Sequence, residues 1–223
     1  MKPLEDASAI ILCGGRSLRA GFDKQTLRVG GRLIALHLAR ELSPLFRRIC
    51  LVTSRPELYP SGGPEVLTDR FPGGGPLAGL HAGLLHSGTS LNYLIACDMP
   101  FPDLSFIRWM ARRLESRPEA EGAVVLDREL RPEPFNGFYR SRCLPRAERL
   151  LEEGRRSLSL LCREGDMVGI SCQEAEVFSP GGRMFTNLNT REDMLLHLGA
   201  RALPLEAGPG CSGGSGEPDR DAS

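Results

Sequence analysis

The chain has 223 residues, of which 41 % are hydrophobic and 25 % charged, values that supply a buried core and exclude a mainly disordered or fibrous protein. Twenty-eight basic and 28 acidic residues cancel to a formal charge of zero, so no overall field draws the chain to nucleic acid or to an anionic membrane.

Apolar runs of strand length alternate with longer stretches of helical period, the pattern of an α/β domain with a largely parallel sheet. Residues 7–12 (ASAIIL) read as the first buried strand, followed by a glycine-rich basic turn over 14–24 and a helix carried by Leu33, Ile34, Leu36, Leu38, Ala39 and Leu42. Strands are expected at 49–53 and 65–67, a helix at 76–85, a strand at 92–96 and a helix at 106–114. A strand at 122–126 precedes a less regular one at 133–139, which Asn136-Gly137 interrupts. Helices at 142–152, 157–163 and 191–198 and a late strand at 167–171 complete the pattern. From Pro204 the composition turns to Gly, Pro, Ser and acid, which buries too little apolar surface to offset its ordering entropy. One domain over 1–203 and a disordered tail over 204–223 are therefore expected.

The seven cysteines, Cys13, Cys50, Cys97, Cys143, Cys162, Cys172 and Cys211, are odd in number and none sits at the spacing of a zinc knuckle or redox pair. Together with an acidic start unlike a signal peptide, and no apolar run near the ~18 residues of a membrane span, they suggest reduced thiols in a soluble cytoplasmic protein. The four histidines, His37, His81, His86 and His197, fall in helical segments without metal-ligand spacing and read as packing or surface residues.

Three segments could carry chemistry. Leu12-Cys-Gly-Gly-Arg-Ser-Leu-Arg-Ala-Gly-Phe-Asp-Lys24 follows the first strand, where α/β folds place ligands, and its glycines let backbone N–H groups approach phosphate oxygens. Arg16, Arg19 and Lys24 add positive charge; the alternative is a plain turn with solvated arginines. Lys2 and Lys24 are the only lysines among the basic residues, a bias of the kind codon usage leaves, so Lys24 inside the folded region needs its own explanation. The spacing fits neither a P-loop nor a dinucleotide fingerprint.

Asp98, in Ala96-Cys-Asp-Met-Pro-Phe101, stands at a strand's carboxyl end and suits Mg²⁺, which takes one or two protein carboxylates plus substrate phosphates; the competing role is a helix N-cap near Ser105. Its neighbour Cys97 reads as packing rather than a nucleophile. In Phe71-Pro-Gly-Gly-Gly-Pro-Leu-Ala-Gly-Leu-His-Ala-Gly-Leu84, Pro76 suits a first helical turn and Ala78, Gly79, Ala82 and Gly83 give a small-residue face, either for packing on the sheet or for a ligand. Asp69 just upstream is a ligand contact or a turn residue. Asn187-Leu-Asn-Thr190 reads as the cap of the last helix, with Asp193 completing a capping box, and Arg155-Arg156 reads as solvated, with a second anionic substrate as the alternative.

Leu12-x-Gly-Gly-x-Ser-x-Arg-x-Gly-x-Asp-Lys24, Gly74-Gly-Pro-Leu-Ala-Gly79 and Cys97-Asp-Met-Pro-Phe101, supported by Asn187-Leu-Asn-Thr190, together resemble the molybdenum cofactor guanylyltransferase family. The matches run in order from about residue 8 to residue 198. The resemblance implies a Rossmann-like three-layer αβα sandwich of the GT-A-like nucleotidyltransferase type. It also implies transfer of GMP from GTP to the terminal phosphate of molybdopterin, with pyrophosphate released and Mg²⁺ as cofactor.

By the same resemblance, Leu12, Cys13 and Gly14 would line the guanine and ribose through backbone groups. Gly15, Arg19 and Lys24 would face the triphosphate, Asp69 would touch the nucleotide, and Asp98 would hold Mg²⁺; Lys24, Arg19 and Asp98 form the implied catalytic set. GTP and molybdopterin are the implied substrates, with cofactor-insertion or acceptor proteins as further partners, no nucleic acid, no membrane and a monomeric state. The chain departs from the family at Cys13, where Ala is usual, at Ala20, where Met is frequent, and at Val52-Thr53-Ser54, which lacks the usual Asn. The last departure keeps a cytidylyltransferase or sugar-phosphate nucleotidyltransferase open, and a non-catalytic nucleotide-binding adaptor is the reading from a different class.

Overall fold

The apolar run at 7–12 becomes strand β1 (Ala7–Leu12), buried at every position, with Ala7, Ala9 and Ile11 turned to one face and Ile10 and Leu12 to the other. The computed structural model describes residues 2–14 and 23–198; Gly15, Arg16, Arg19, Ala20, Cys211 and the tail expected from Pro204 lie outside the described residues. After a 3-10 turn at Lys24–Thr26, β2 (Arg28–Val29) and β3 (Arg32–Leu33) form a small hairpin, in a stretch where the sequence pattern assigns only Leu33, and that to the helix. Gly30 and Gly31, with φ of 57° and 79°, make its two-residue turn, and a Gly-Gly pair is the signal that marks it in the sequence.

The chain continues through α1 (Ile34–Leu42), β4 (Arg48–Val52), β5 (Glu65–Leu67), α2 (Gly75–Ser87), β6 (Leu91–Ala96) and α3 (Leu104–Glu115). It then forms β7 (Gly122–Leu126), β8 (Pro132–Arg140), α4 (Leu144–Glu152), α5 (Leu158–Glu164), β9 (Met167–Ser171), α6 (Cys172–Glu176) and α7 (Arg191–Leu198). Asp103, not Asp98, caps α3 by accepting from the Phe106 amide, which leaves Asp98 free of the competing role. No helix among the described residues is long and apolar enough to cross a membrane.

Seven strands form one sheet in the order β5-β4-β1-β6-β8-β7-β9. Every pairing is parallel except those of β8, which runs antiparallel to both β6 and β7. β8 is a continuous nine-residue strand rather than an interrupted one: Asn136 adopts a left-handed φ of 54° inside it, opposite a register shift between Ala123 and Val125 of β7. Helices α1 and α3 cover one face, joined by α6 and the Pro180–Phe185 turn, while α2, α4 and α5 cover the other. The result is a mostly parallel three-layer αβα sandwich.

Chain order reverses at β1: β4 and β5 are added on one side, and α2 then carries the chain back to β6 on the other. Such a switch point opens a crevice at the strand carboxyl ends. Helix α2 reaches the crevice because its small-residue face lies directly on β1. A Cβ at Gly79 would come 2.8 Å from Leu12 Cδ2, and one at Gly83 2.4 Å from Ile10 Cδ1. Gly83→Val should therefore overpack this contact and cost about 1–3 kcal/mol in urea unfolding; wild-type stability would show that α2 does not depend on close approach to β1.

Candidate active site

The register of the four parallel strands aligns their carboxyl ends. Leu12 pairs with both Val52 and Ala96, and Val52 pairs with Leu67, so four residues form one row across β5, β4, β1 and β6. Two residues beyond that row stand Asp69, Ser54, Gly14 and Asp98. Motifs that are far apart in the chain thus reach the same edge at the same height.

A cleft of about 250 Å³ opens there, walled by Leu12, Gly14, Val52, Thr53, Ser54, Asp69, Ala96 and Phe135, with Gly73, Gly75, Pro76 and Gly79 from the start of α2. Its lining brings together Leu12, Gly14 and Asp69 of the sequence-derived set. Cys13 is turned away: its side chain packs in the core beneath α1 and its N–H donates to the Val52 carbonyl at 2.8 Å. The Leu12 carbonyl is also engaged, accepting from the Cys97 amide, so Leu12 meets the cleft through its side chain. The α2 N-terminus adds the positive end of a helix dipole to this wall.

Beside the cleft, the Lys24 ammonium donates to Asp98 Oδ2 at 2.6 Å and to Asn189 Oδ1 at 2.7 Å. The Lys24 and Asp98 side chains are only 14 % and 17 % exposed. The 3-10 turn that presents Lys24 is held on both sides. Asp23 caps it by accepting from the Gln25 amide at 2.9 Å and accepts from Arg55 Nη1 at 2.7 Å through its other oxygen. The buried Gln25 carboxamide accepts from the Thr53 hydroxyl, tying the turn to the end of β4.

Asn189 is a site residue the sequence reading missed. The expected capping box is present, since Thr190 Oγ1 accepts from the Asp193 amide and Asp193 Oδ2 accepts from the Thr190 amide. Capping therefore occupies Thr190 and Asp193 and leaves the Asn189 side chain for Lys24; the Asn-Leu-Asn-Thr run was the signal available. The paired arginines also part company. Arg155 is tied to Glu164 at 2.9 Å and to Glu153, as expected of a solvated charge. Arg156 lies against the glycine loop, with Nη1 3.7 Å from where a Gly73 Cβ would stand, and pairs with no carboxylate among the described residues.

Cys13 and Cys97 end neighbouring strands and meet beneath the site, a proximity their sequence separation concealed. A hydrogen bond with Cys13, then burial, pushes the Cys97 thiol well above its ordinary range, so it stays protonated and fills space. Among the histidines, His81 is buried edge-on against Phe71 at 5.2 Å and burial lowers its pKa, which keeps it a neutral packing group. Among the described residues no three His, Cys, Asp or Glu side chains cluster to hold a metal unaided. One carboxylate oxygen pair at Asp98 and a carboxamide oxygen at Asn189 are hard donors. They suit Mg²⁺ that takes its remaining ligands from a triphosphate and water, and they do not suit a resident soft metal.

The family model of the MobA-like NTP transferase domain matches residues 9–167. The chain is 41 % identical over 186 residues to a molybdenum cofactor guanylyltransferase from Syntrophotalea carbinolica, covering 83 % of this chain and 88 % of that protein. It is 39 % identical over 191 residues to a probable molybdenum cofactor guanylyltransferase from Peptoclostridium acidaminophilum, covering 84 % and 86 %. In fold it is similar to the molybdopterin-guanine dinucleotide biosynthesis protein A of Archaeoglobus fulgidus, with a TM-score of 0.72 at 22 % identity over 84 % of this chain and 94 % of that one. On this identity across most of both sequences, the chain belongs to the molybdenum cofactor guanylyltransferase family of MobA-like NTP transferases.

Proposed function

We propose that the protein transfers GMP from GTP to the terminal phosphate of molybdopterin and releases pyrophosphate. The observation that carries this reading is the Lys24–Asp98–Asn189 contact beside the cleft at the strand carboxyl ends, in a chain whose relatives are named guanylyltransferases. In the reaction an acceptor phosphate oxygen attacks the α-phosphorus of GTP in line. The bond from that phosphorus to the bridging oxygen breaks, and the electron pair leaves with pyrophosphate. No covalent enzyme intermediate is needed, so the work of the residues is positioning and charge compensation.

Lys24, with Arg19 from the preceding loop, offsets charge on the triphosphate and on the departing pyrophosphate. Asp98 and the Asn189 oxygen would hold Mg²⁺, which would supply neutralisation of phosphate charge. Asp69 in the cleft wall offers a carboxylate to the N1–H and 2-amino donors of guanine, a pair of donors that cytosine lacks, and this replaces the missing Asn of the 52–54 segment. Arg156, a cation without a carboxylate partner among the described residues, lies against the glycine loop, where it would meet an anionic acceptor.

The ammonium of Lys24 bonds Asp98 directly, so Asp98 can hold a metal ion and Lys24 a phosphate only if both charges change partners. Lys24→Met should accordingly tighten Mg²⁺ binding to the nucleotide-free protein about tenfold in calorimetric titration, since the carboxylate no longer has a competing cation. An unchanged affinity would remove Asp98 from the metal role.

The substrate assignment is tested by pyrophosphate release with GTP or CTP, each offered with molybdopterin or with a sugar phosphate. GTP with molybdopterin should exceed the other combinations by at least 10²-fold, and Asp69→Asn should erode the preference for GTP over CTP. Faster turnover with CTP or with the sugar phosphate would overturn the reading, and pyrophosphate release from none of them would leave the protein a nucleotide-binding adaptor.

A further inference from the structure

Asn136 sits in the middle of β8, 1 % exposed, with a left-handed φ of 54°. A carboxamide in that position is costly unless both its ends are bonded. Both are. Its Oδ1 accepts from the Tyr93 hydroxyl of β6, and its Nδ2 donates to the Met184 carbonyl at 2.7 Å. Burial pushes the Tyr93 phenol well above its ordinary pKa, so that hydroxyl remains a donor at any working pH.

Met184 belongs to the strap that runs from Ser179 past Asn136 of the antiparallel β8 to the carboxyl end of β6. The strap begins with Gly181 and Gly182, both at left-handed φ, and the Met184 amide donates to the Ser179 hydroxyl at 3.1 Å. Four residues after Met184, the Leu188 amide donates to the backbone carbonyl of Asp98 at 2.8 Å, and the next side chain is Asn189 on Lys24. Apolar packing of Met184 and Leu188 could hold the strap down, but such contacts are non-directional and tolerate sliding. A hydrogen bond from a side chain fixed in the sheet to one chosen carbonyl sets where along the chain the strap is anchored.

We infer that Asn136 is a positioning residue for transfer: bridging Tyr93 and Met184, it sets the register of the 179–189 strap and thereby delivers Asn189 to the Lys24–Asp98 pair. The inference rests on the proposed GMP transfer for its kinetic consequence, but the latch itself does not. It lies beyond the matched domain model on one side, since Met184 follows residue 167, and it uses a residue that the sequence presents only as an interruption of a strand. Because a misplacement of about 1 Å in a positioned group can cost as much as 10²-fold in rate, loss of the latch should be felt in turnover.

The experiment compares wild type, Asn136→Gly, Asn189→Ala, the double variant, and Ser8→Ala. Glycine keeps the backbone conformation and deletes both hydrogen bonds. Ser8→Ala removes a buried hydrogen bond to Asn92 at the opposite end of the sheet and reports loss of stability alone. For Asn136→Gly, kcat should fall at least tenfold while KM for GTP stays within threefold. In the Asn189→Ala background the same change should cost less than twofold, because the residue it acts through is already gone. Ser8→Ala should keep wild-type kcat.

Amide hydrogen exchange at Leu188 should quicken in Asn136→Gly and not in Ser8→Ala, a readout independent of any reaction. If the glycine variant is too unstable to purify, Asn136→Asp retains size and the bond from Tyr93 while setting a carboxylate against the Met184 carbonyl, and the same outcomes apply. Unchanged exchange at Leu188, unchanged kcat, or losses that multiply in the double variant would overturn the inference. A wild-type protein that fails to turn over GTP with molybdopterin, yet shows faster Leu188 exchange on loss of Asn136, would instead overturn the proposed function and leave the latch standing.

Discussion

The ammonium of Lys24 touches two oxygens that arrive from distant parts of the chain, Asp98 after β6 and Asn189 before α7. Everything else about the site can be traced to what brings both oxygens within 2.7 Å of the Lys24 ammonium. The sheet register places Asp98 two residues past the row that also ends β1. Asp23 and the Thr53–Gln25 bond fix the turn that carries Lys24, and the strap anchored at Met184 brings Asn189 across. Helix α2 can close the cleft beside them because Gly79 and Gly83 let it lie on β1 without side chains between.

A largely buried ion pair of this kind is weak support for stability, since desolvating both charges offsets most of their attraction. Its place at the cleft mouth is better explained by function. The pair keeps a carboxylate and an ammonium near each other in neutralised form, and in the proposed reaction each would exchange the other for a partner in a metal-bound triphosphate. The neutral charge of the whole chain is consistent with this arrangement, since the proposed phosphate contacts are confined to one loop, one lysine and one helix terminus rather than spread over the surface.

Much of the architecture was legible in the sequence because it is local. Strand-length apolar runs, helical periodicity and the glycine-rich loop after β1 each declare themselves within a dozen residues, and Lys24 stood out as an isolated lysine among arginines. The features that escaped depend on distance. That Asp103 rather than Asp98 caps α3 turns on a one-turn choice between two aspartates. That Gly30-Gly31 makes a hairpin was masked by the apolar period of α1 running back into Leu33. Asn136 looked like a break because its left-handed backbone is a local anomaly, and its reason, a bridge from Tyr93 to Met184, spans 91 residues of chain. Asn189 was hidden by a sound local explanation, the capping box, which the structure shows is made by its neighbours. Cys13 illustrates the same limit from the other side: its position beside the loop is visible in the sequence, but not that sheet pairing consumes its amide.

The shape of the cation separates this account from one in which any positive charge at the cleft would serve. Lysine offers a compact point charge that can sit between Asp98 and Asn189 and then move to phosphate, whereas a guanidinium is planar, longer and prefers two-point contacts. The decisive measurement is kcat for GMP transfer by Lys24→Arg at saturating GTP and molybdopterin. The account predicts a fall of at least tenfold with the fold intact; turnover equal to wild type would contradict it, because charge alone would then be sufficient.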